Sequence, residues 1–390
     1  MNLRKYLSRP KMNVLLSEDE KRIGKFDVIA DHFPQKTIYS KWTHNLEGGA
    51  LVPFDAPRKC FALIDGHRVN AQLCLSYWKT LTIAFSAIEN AIVSNQDQNL
   101  WSIAQGDNPA WCECDMCKDE NPYDTLIYFV NRIANAHPDK QFHTLLYYKT
   151  EQVGTVVPLP NVMVMPTTIQ LSKHRPYQEQ KREDARKWRI NLLDLLELTS
   201  NVGIWDYYGN FKHLLAPNPT LYSIGANMRW FRSLGIQNFI IQTDAAIGHE
   251  GSYWKEAWIY RMLKYPFLNP MTQLKIIWRR EFGRAAKYVK EYYDLLDANK
   301  GNGDYLNNWR VLEVYRDSFL SDKMMARYYD VFSYSNLRSF IIQIDYACVE
   351  IGTAPKYVAE RLGRFCARLG NVTVNEHKKS VKTYLKEKGL

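Results

Sequence analysis

The chain has 390 residues, 46% hydrophobic and 24% charged, which suits a large packed core and excludes a disordered protein. Its net charge of +10 and pI of about 9.0 raise nucleic acid or an acidic polysaccharide as partners, although charges of both signs are scattered and read first as a solvated surface. No apolar run reaches the roughly 18 residues of a membrane span, and the basic start from Met1 to Leu7 lacks the apolar stretch of a signal peptide.

Short runs rich in β-branched and aromatic residues predict strands over 13–16, 36–42, 100–104, 143–148, 162–165, 203–207 and 239–242. Helical spacing of apolar residues predicts helices over 77–93, 123–136, 178–198 and 221–234, the last closed by Gly235 as its C′ residue. Alternation of strand and helix implies a parallel sheet with covering helices. Seven strands are one short of a TIM-type (β/α)8 barrel. From about residue 265 the pattern is helical to the end, broken by the loop Gly301-Asn302-Gly303-Asp304. The expected organisation is an α/β barrel over 1–270 and a helical region over 271–390, with the basic run from His377 to Lys388 as an exposed terminal helix.

In such a barrel the active site forms where strands end at the C-terminal face. That rule selects Gln105, Asp107 and Asn108, then Tyr147 and Tyr148, then Asp206 and Tyr207, then Thr243, Asp244, His249 and Glu250. Each of these also fits a cap or turn when taken alone. The segment from Trp205 to His213 is the densest. An apolar run ends there in a carboxylate between aromatics, followed by Asn210 and His213. Aromatic faces stack on sugar rings, and a carboxylate beside them can do acid, base or charge-stabilising work. The aromatics Trp205, Tyr207, Tyr208, Tyr253 and Trp254 also fit a barrel rim. The chain has no dinucleotide or phosphate loop, no nucleophile elbow and no HExxH, so no cofactor is required.

Cys112, Cys114 and Cys117 place three thiols within six residues. A tetrahedral zinc site would need one more ligand, for which Cys74 and His174 are candidates. Three readings are open: a structural zinc site, reduced cysteines packing a loop, or a disulfide. Cys60, Cys348 and Cys366 read as isolated core residues. An odd total of seven cysteines does not suggest a disulfide framework. The expectation is synthesis in the cytoplasm, followed by retention, release by lysis or assembly into a particle.

Several stretches together resemble the domain-of-unknown-function family 4838, which overlaps glycoside hydrolase family 163. They are Cys60 to Gly66, Gln72 to Leu75, Ser102 to Asn108, the cysteine triplet and Trp205-Asp206-Tyr207. Asn210, Phe211, His213, Pro217, Pro219, Asn227, Arg229 and Phe231 complete the match, in order, over about residues 12 to 270. The resemblance implies a (β/α)8 barrel hydrolase acting on β-linked N-acetylglucosamine in glycans. It also implies retention of configuration, assisted by the substrate's acetamido group. Two features depart from the family. Met12-Asn13-Val14 resembles its second strand, which leaves the first strand missing. The glutamate that ends the family's last strand is replaced by Ile241 or Gln242.

Three functions follow. In a glycoside hydrolase, Asp206 would be one essential carboxylate and Asp244 or Glu250 its partner. Gln105, Asp107, Asn108, Tyr148, Trp205, Tyr207, Asn210 and His213 would line the sugar site. A degenerate barrel would instead bind a glycan or polysaccharide, or serve as a scaffold of a virus particle or surface assembly. A nucleic-acid-associated protein would rest on the net charge alone and bind with a steep salt dependence.

Overall fold

The computed structural model describes residues 13–16, 44–242, 252–282, 286–298 and 338–390, apart from 351, 353, 371 and 376. The predicted strand 36–42, the loop 301–304, Asp244 and Glu250 lie outside the described residues.

The chain is a mixed α/β structure with parallel sheets. Its strands are β1 (Asn13–Leu16), β2 (Phe61–Ile64), β3 (His67–Leu73), β4 (Leu100–Ser102), β5 (Gln141–Leu146), β6 (Val162–Pro166), β7 (Gly203–Tyr207) and β8 (Asn238–Gln242). β4, β5 and β6 pair in parallel, as do β7, β8 and β1. Parallel bridges from Val164 to Val202 and from Thr167 to Trp205 join β6 to β7. The result is one parallel succession, β4-β5-β6-β7-β8-β1, with Leu46 bridged to Gln105 beyond β4. β1 lies directly beside β8, with Asn13 opposite Asn238, so no strand separates them.

The antiparallel hairpin of β2 and β3 was not predicted. Its signal was present in Asp65-Gly66, whose φ values of 48° and 76° are those of a two-residue hairpin turn. β3 is polar and partly exposed over most of its length, and β2 is a run of only four apolar residues, Phe61 to Ile64.

Helices α1 (Trp78–Ser94), α2 (Pro122–Ala134), α3 (Glu183–Leu198) and α4 (Leu221–Ser233) stand close to their predicted places. At the start of α2, the Asn121 side chain accepts from the Tyr123 and Asp124 amides, and Pro122 fills the first turn. α4 ends as expected, with Gly235 at φ 82° and the Ile236 amide donating back to Phe231 O. The predicted helix over 178–198 begins later, at Glu183, after a short 3-10 turn over Tyr177–Glu179. Among the described residues the chain continues with helices α5 (Ser252–Lys264), α6 (Pro270–Phe282), α7 (Ala286–Ala298), α8 (Arg338–Glu350), α9 (Lys356–Leu369) and α10 (Val381–Glu387). Arg361 ties α9 to α8 through two hydrogen bonds to the Asp345 carboxylate, at 2.8 and 2.7 Å.

Successive strand residues point to opposite faces, and the two faces build separate cores. Leu100, Ala104, Leu145, Tyr147, Met163, Met165, Trp205, Tyr207 and Ile240 form an inner cluster. Trp101, Ile103, Phe142, Leu146, Val162, Val164, Ile204, Phe239 and Ile241, at the alternate strand positions, face outward. These join α-helical residues such as Ile127, Trp188 and Phe231 in the main core.

Candidate functional site

A cleft of about 350 Å³ opens at the C-terminal ends of β5 to β8. Leu145 and Tyr147 come from β5 and its end, Thr167 from the end of β6, Trp205 and Tyr207 from β7, and Gln242 from β8. Loops add His44, Asp107, Tyr148, Ile169 and Phe211. All the strand-borne members belong to the inner face or continue its alternation. Tyr148 sits at φ 52°, a left-handed conformation that costs a non-glycine residue of order 1 kcal/mol. Its ring lies 4.0 Å from that of Tyr147. The Tyr147 hydroxyl donates to Asp107 Oδ1 at 3.0 Å, and the Trp205 indole N–H donates to Gln242 Oε1 at 3.0 Å. Burial, with Tyr148 and Asp107 beside it, pushes the Tyr147 phenol well above its ordinary range.

Of the predicted sugar-site residues, the fold brings Asp107, Tyr148, Trp205 and Tyr207 to the cleft. It takes the others elsewhere. Gln105 is buried and serves the loop: its amide donates to Tyr147 O at 2.6 Å and its Oε1 accepts from Thr150 at 2.6 Å. Asn108 is a turn residue, donating to Ala71 O at 2.8 Å and accepting from the Ala110 amide at 3.0 Å. Asn210 is buried, and its Oδ1 accepts from the His213 amide at 3.3 Å. His213 pairs through Nδ1 with Tyr346 Oη of α8 at 2.8 Å, joining the loop after β7 to the C-terminal helices. Burial pushes its imidazole down.

Asp206 is the main correction. Because Trp205 and Tyr207 face inward, the residue between them faces outward, into the layer between sheet and helices. Its Oδ1 accepts from Thr168 Oγ1 and Tyr177 Oη, each at 2.5 Å, and from the Tyr207 amide at 2.9 Å. Lys173 Nζ lies 3.8 Å away, with both side chains buried. Lys173 also donates to Thr168 O and, at 2.7 Å, to Thr168 Oγ1. Burial pushes its ammonium down to about 7, against the pull of the Asp206 carboxylate. Asp206 is therefore a structural anchor and does not reach the cleft. Asp107 is the one carboxylate lining the cleft among the described residues.

Sequence reasoning passed over His44, Leu145, Thr167 and Ile169, gave Phe211 only as part of the aromatic segment and the family match, and considered Gln242 only as a missing glutamate. Strand alternation could have found the strand-borne members once one inward residue was known. His44 and Ile169 sit in loops with no local signal. Glu151, after the turn that carries Tyr148, was also missed. Burial raises its carboxyl to about 7, but it does not line the cleft.

The cysteines converge at a second place. Cys74, just after β3, meets Cys112, Cys114 and Cys117, with all four sulfurs within 4.8 Å of one another. His174, the other candidate, lies in the loop after β6 and is not among them. Cys60, Cys348 and Cys366 are buried apart from this group.

The solved structure of a family 89 glycoside hydrolase from Clostridium perfringens in complex with its substrate GlcNAc-alpha-1,4-galactose is similar to this chain at 11% identity, covering 80% of this chain and 37% of that chain, with a TM-score of 0.39. The family 89 enzyme in complex with PUGNAc gives 12% identity, 79% and 36% coverage and a TM-score of 0.38. An O-GlcNAc hydrolase mutant from Thermobaculum terrenum gives 10% identity, 82% and 76% coverage and a TM-score of 0.42. The chain thus spans little more than a third of the length of the Clostridium enzyme. No curated protein matches it. Residues 19–294, well over half of the chain, match the family described as Domain of unknown function (DUF4838), and the chain belongs to that family.

Proposed function

We propose that this chain is a glycoside-hydrolase-like protein whose cleft takes a β-linked N-acetylglucosamine residue of a glycan. The observation that carries this reading is the lining of the cleft. Tyr147, Tyr148, Trp205, Tyr207 and Phe211 supply aromatic surface, and Asp107, His44 and Gln242 supply polar edges. Aromatic faces pack on the C–H groups of a pyranose, while a few polar groups fix its hydroxyls. The volume of about 350 Å³ falls at the small end of ligand pockets, roughly 300–1,000 Å³.

In substrate-assisted retention, the acetamido oxygen attacks the anomeric carbon. One carboxylic acid gives its proton to the leaving oxygen, and a second carboxylate receives the acetamido N–H. Asp107, already accepting from Tyr147 Oη, fits the carboxylate that holds the acetamido group. Asp244 or Glu250 is the proposed acid, two and eight residues beyond Gln242 in the sequence. The test is release of N-acetylglucosamine from β-linked glycans. Asp107→Asn should lower the rate by about 10²–10⁴-fold while binding stays measurable. If the unaltered protein neither binds nor cleaves any β-linked hexosaminide, the proposal fails.

One observation favours a second reading, a cleft that grips a glycan without cutting it. The side chain that ends β8 in the cleft is the neutral amide of Gln242, where the family resemblance leads one to expect a carboxylate. Saturable binding without sugar release would select this reading. Turnover gained in Gln242→Glu would then show that the amide is what silences the site.

A further inference from the structure

The geometry points to a zinc ion held by Cys74, Cys112, Cys114 and Cys117. Three sulfur separations are 3.7 Å for Cys74 to Cys114, 3.8 Å for Cys74 to Cys117 and 3.6 Å for Cys114 to Cys117. A tetrahedron of sulfurs about 2.3 Å from a central zinc has edges of about 3.8 Å. A disulfide would bring two sulfurs to about 2.05 Å, yet all four cysteines are free and buried. Without a cation, four buried thiols this close in an apolar setting of Ala62, Leu63, Ile64 and Tyr77 would exchange only weak S–H contacts, and as thiolates they would repel one another. A divalent cation resolves that repulsion, and soft thiolates select zinc over magnesium or calcium.

The surroundings are those of a metal-bound thiolate cluster. The Leu63 amide donates to Cys112 Sγ at 3.4 Å, and Arg68 Nη1 lies 3.8 Å from the same sulfur. The Cys117 thiol donates to Ser76 Oγ at 3.2 Å, a pair in which the hydroxyl becomes the donor once the sulfur is a metal-bound thiolate. Hydrogen-bond donors of this kind orient ligand sulfurs and offset the excess negative charge of a four-thiolate site. Four protein ligands leave no open position, so the ion is structural and takes no part in catalysis.

Its place in the fold gives it a task. Cys74 ends the β2–β3 hairpin, and the other three follow the segment that leaves β4. Two bonds already run along this seam: the Gly106 amide donates to Gln72 Oε1 at 3.1 Å, and Asn108 donates to Ala71 O at 2.8 Å. Asp107 sits between them. The ion would fasten this segment to the hairpin and so hold Asp107 at the edge of the cleft.

The test is metal content by elemental analysis of the full chain purified from zinc-supplemented medium. One zinc per chain is expected, with the four thiols shielded from a thiol reagent until a chelator is added. Cys114→Ser should cut the zinc content at least tenfold, while Cys366→Ser, a buried cysteine outside the cluster, should leave it unchanged. If Cys114→Ser does not fold, cobalt(II) added to the chelator-stripped natural chain should give the strong absorption of tetrahedral cobalt thiolate at one equivalent. Folded protein without stoichiometric zinc, thiols that react at once, or a disulfide within the cluster would each overturn the assignment. None of these readouts depends on glycan binding.

Discussion

The two faces of β7 carry different jobs within three consecutive residues. Trp205 and Tyr207 turn inward and line the cleft, whereas Asp206 turns outward and is locked to Thr168, Tyr177 and Lys173. The lesson is that closeness in sequence on a strand is separation in space. A carboxylate flanked by aromatics looks like one site, but the pleat divides it into a ligand surface and a buried ionic anchor.

The largest expected effect would come from attacking the outer face. Asp206→Ala leaves Lys173 buried without its counter-charge, and removing one partner of a buried pair costs about 3–5 kcal/mol. Urea unfolding at pH 6, where Lys173 is protonated, would measure it. A variant of unchanged stability that had lost only sugar release would break the division between the faces. Lys173 itself adds a pH signature. Its folded value of about 7 lies below the ordinary lysine value, so the unfolded chain binds more protons in between. Stability should therefore rise with pH from about 7 upward.

The inner face has its own titration. His143, on the same side of β5 as Leu145, is fully buried, and burial lowers its imidazole to about 4. Its contribution to stability is complete above the ordinary histidine range and is lost as pH falls toward 4. The shift corresponds to about 3 kcal/mol. The acid limb of the stability curve, measured by urea unfolding between pH 7 and 4, should flatten in His143→Leu.

The smallest effect would sharpen the comparison at the rim of the cleft. Tyr148 is 43% exposed and strained at φ 52°. Tyr148→Gly relieves the strain at an entropic cost of similar size, so stability should stay within about 1 kcal/mol. Losing its ring from the cleft should weaken glycan binding about tenfold, or about 1.4 kcal/mol, as measured by calorimetry. Unchanged affinity would remove Tyr148 from the sugar surface.

Much of the fold was legible because hydrophobic periodicity is local. β1 and β7 run over their predicted residues, and α4 stops at Gly235 as its C′ chemistry requires. The β2–β3 hairpin was missed because it is short and half exposed, although Asp65-Gly66 marked its turn. Half of the proposed sugar site reached the cleft. Gln105, Asn108, Asn210 and His213 did not, because each satisfied the hydrogen bonds of its own loop or of a neighbouring segment.

By itself, the sequence determined the alternation of the parallel strands β4 to β8 with helices α2 to α4, the aromatic supply at the strand ends and three of the four clustered cysteines. These follow from side-chain period and short spacing, which need no partner from elsewhere in the chain. Only the tertiary structure decided which way each strand faces. β7 is buried on both sides, so burial does not alternate along it and its sequence does not show which residues face the cleft. The fold likewise chose Cys74 over His174, because the hairpin brings that cysteine back onto the loop from Cys112 to Cys117.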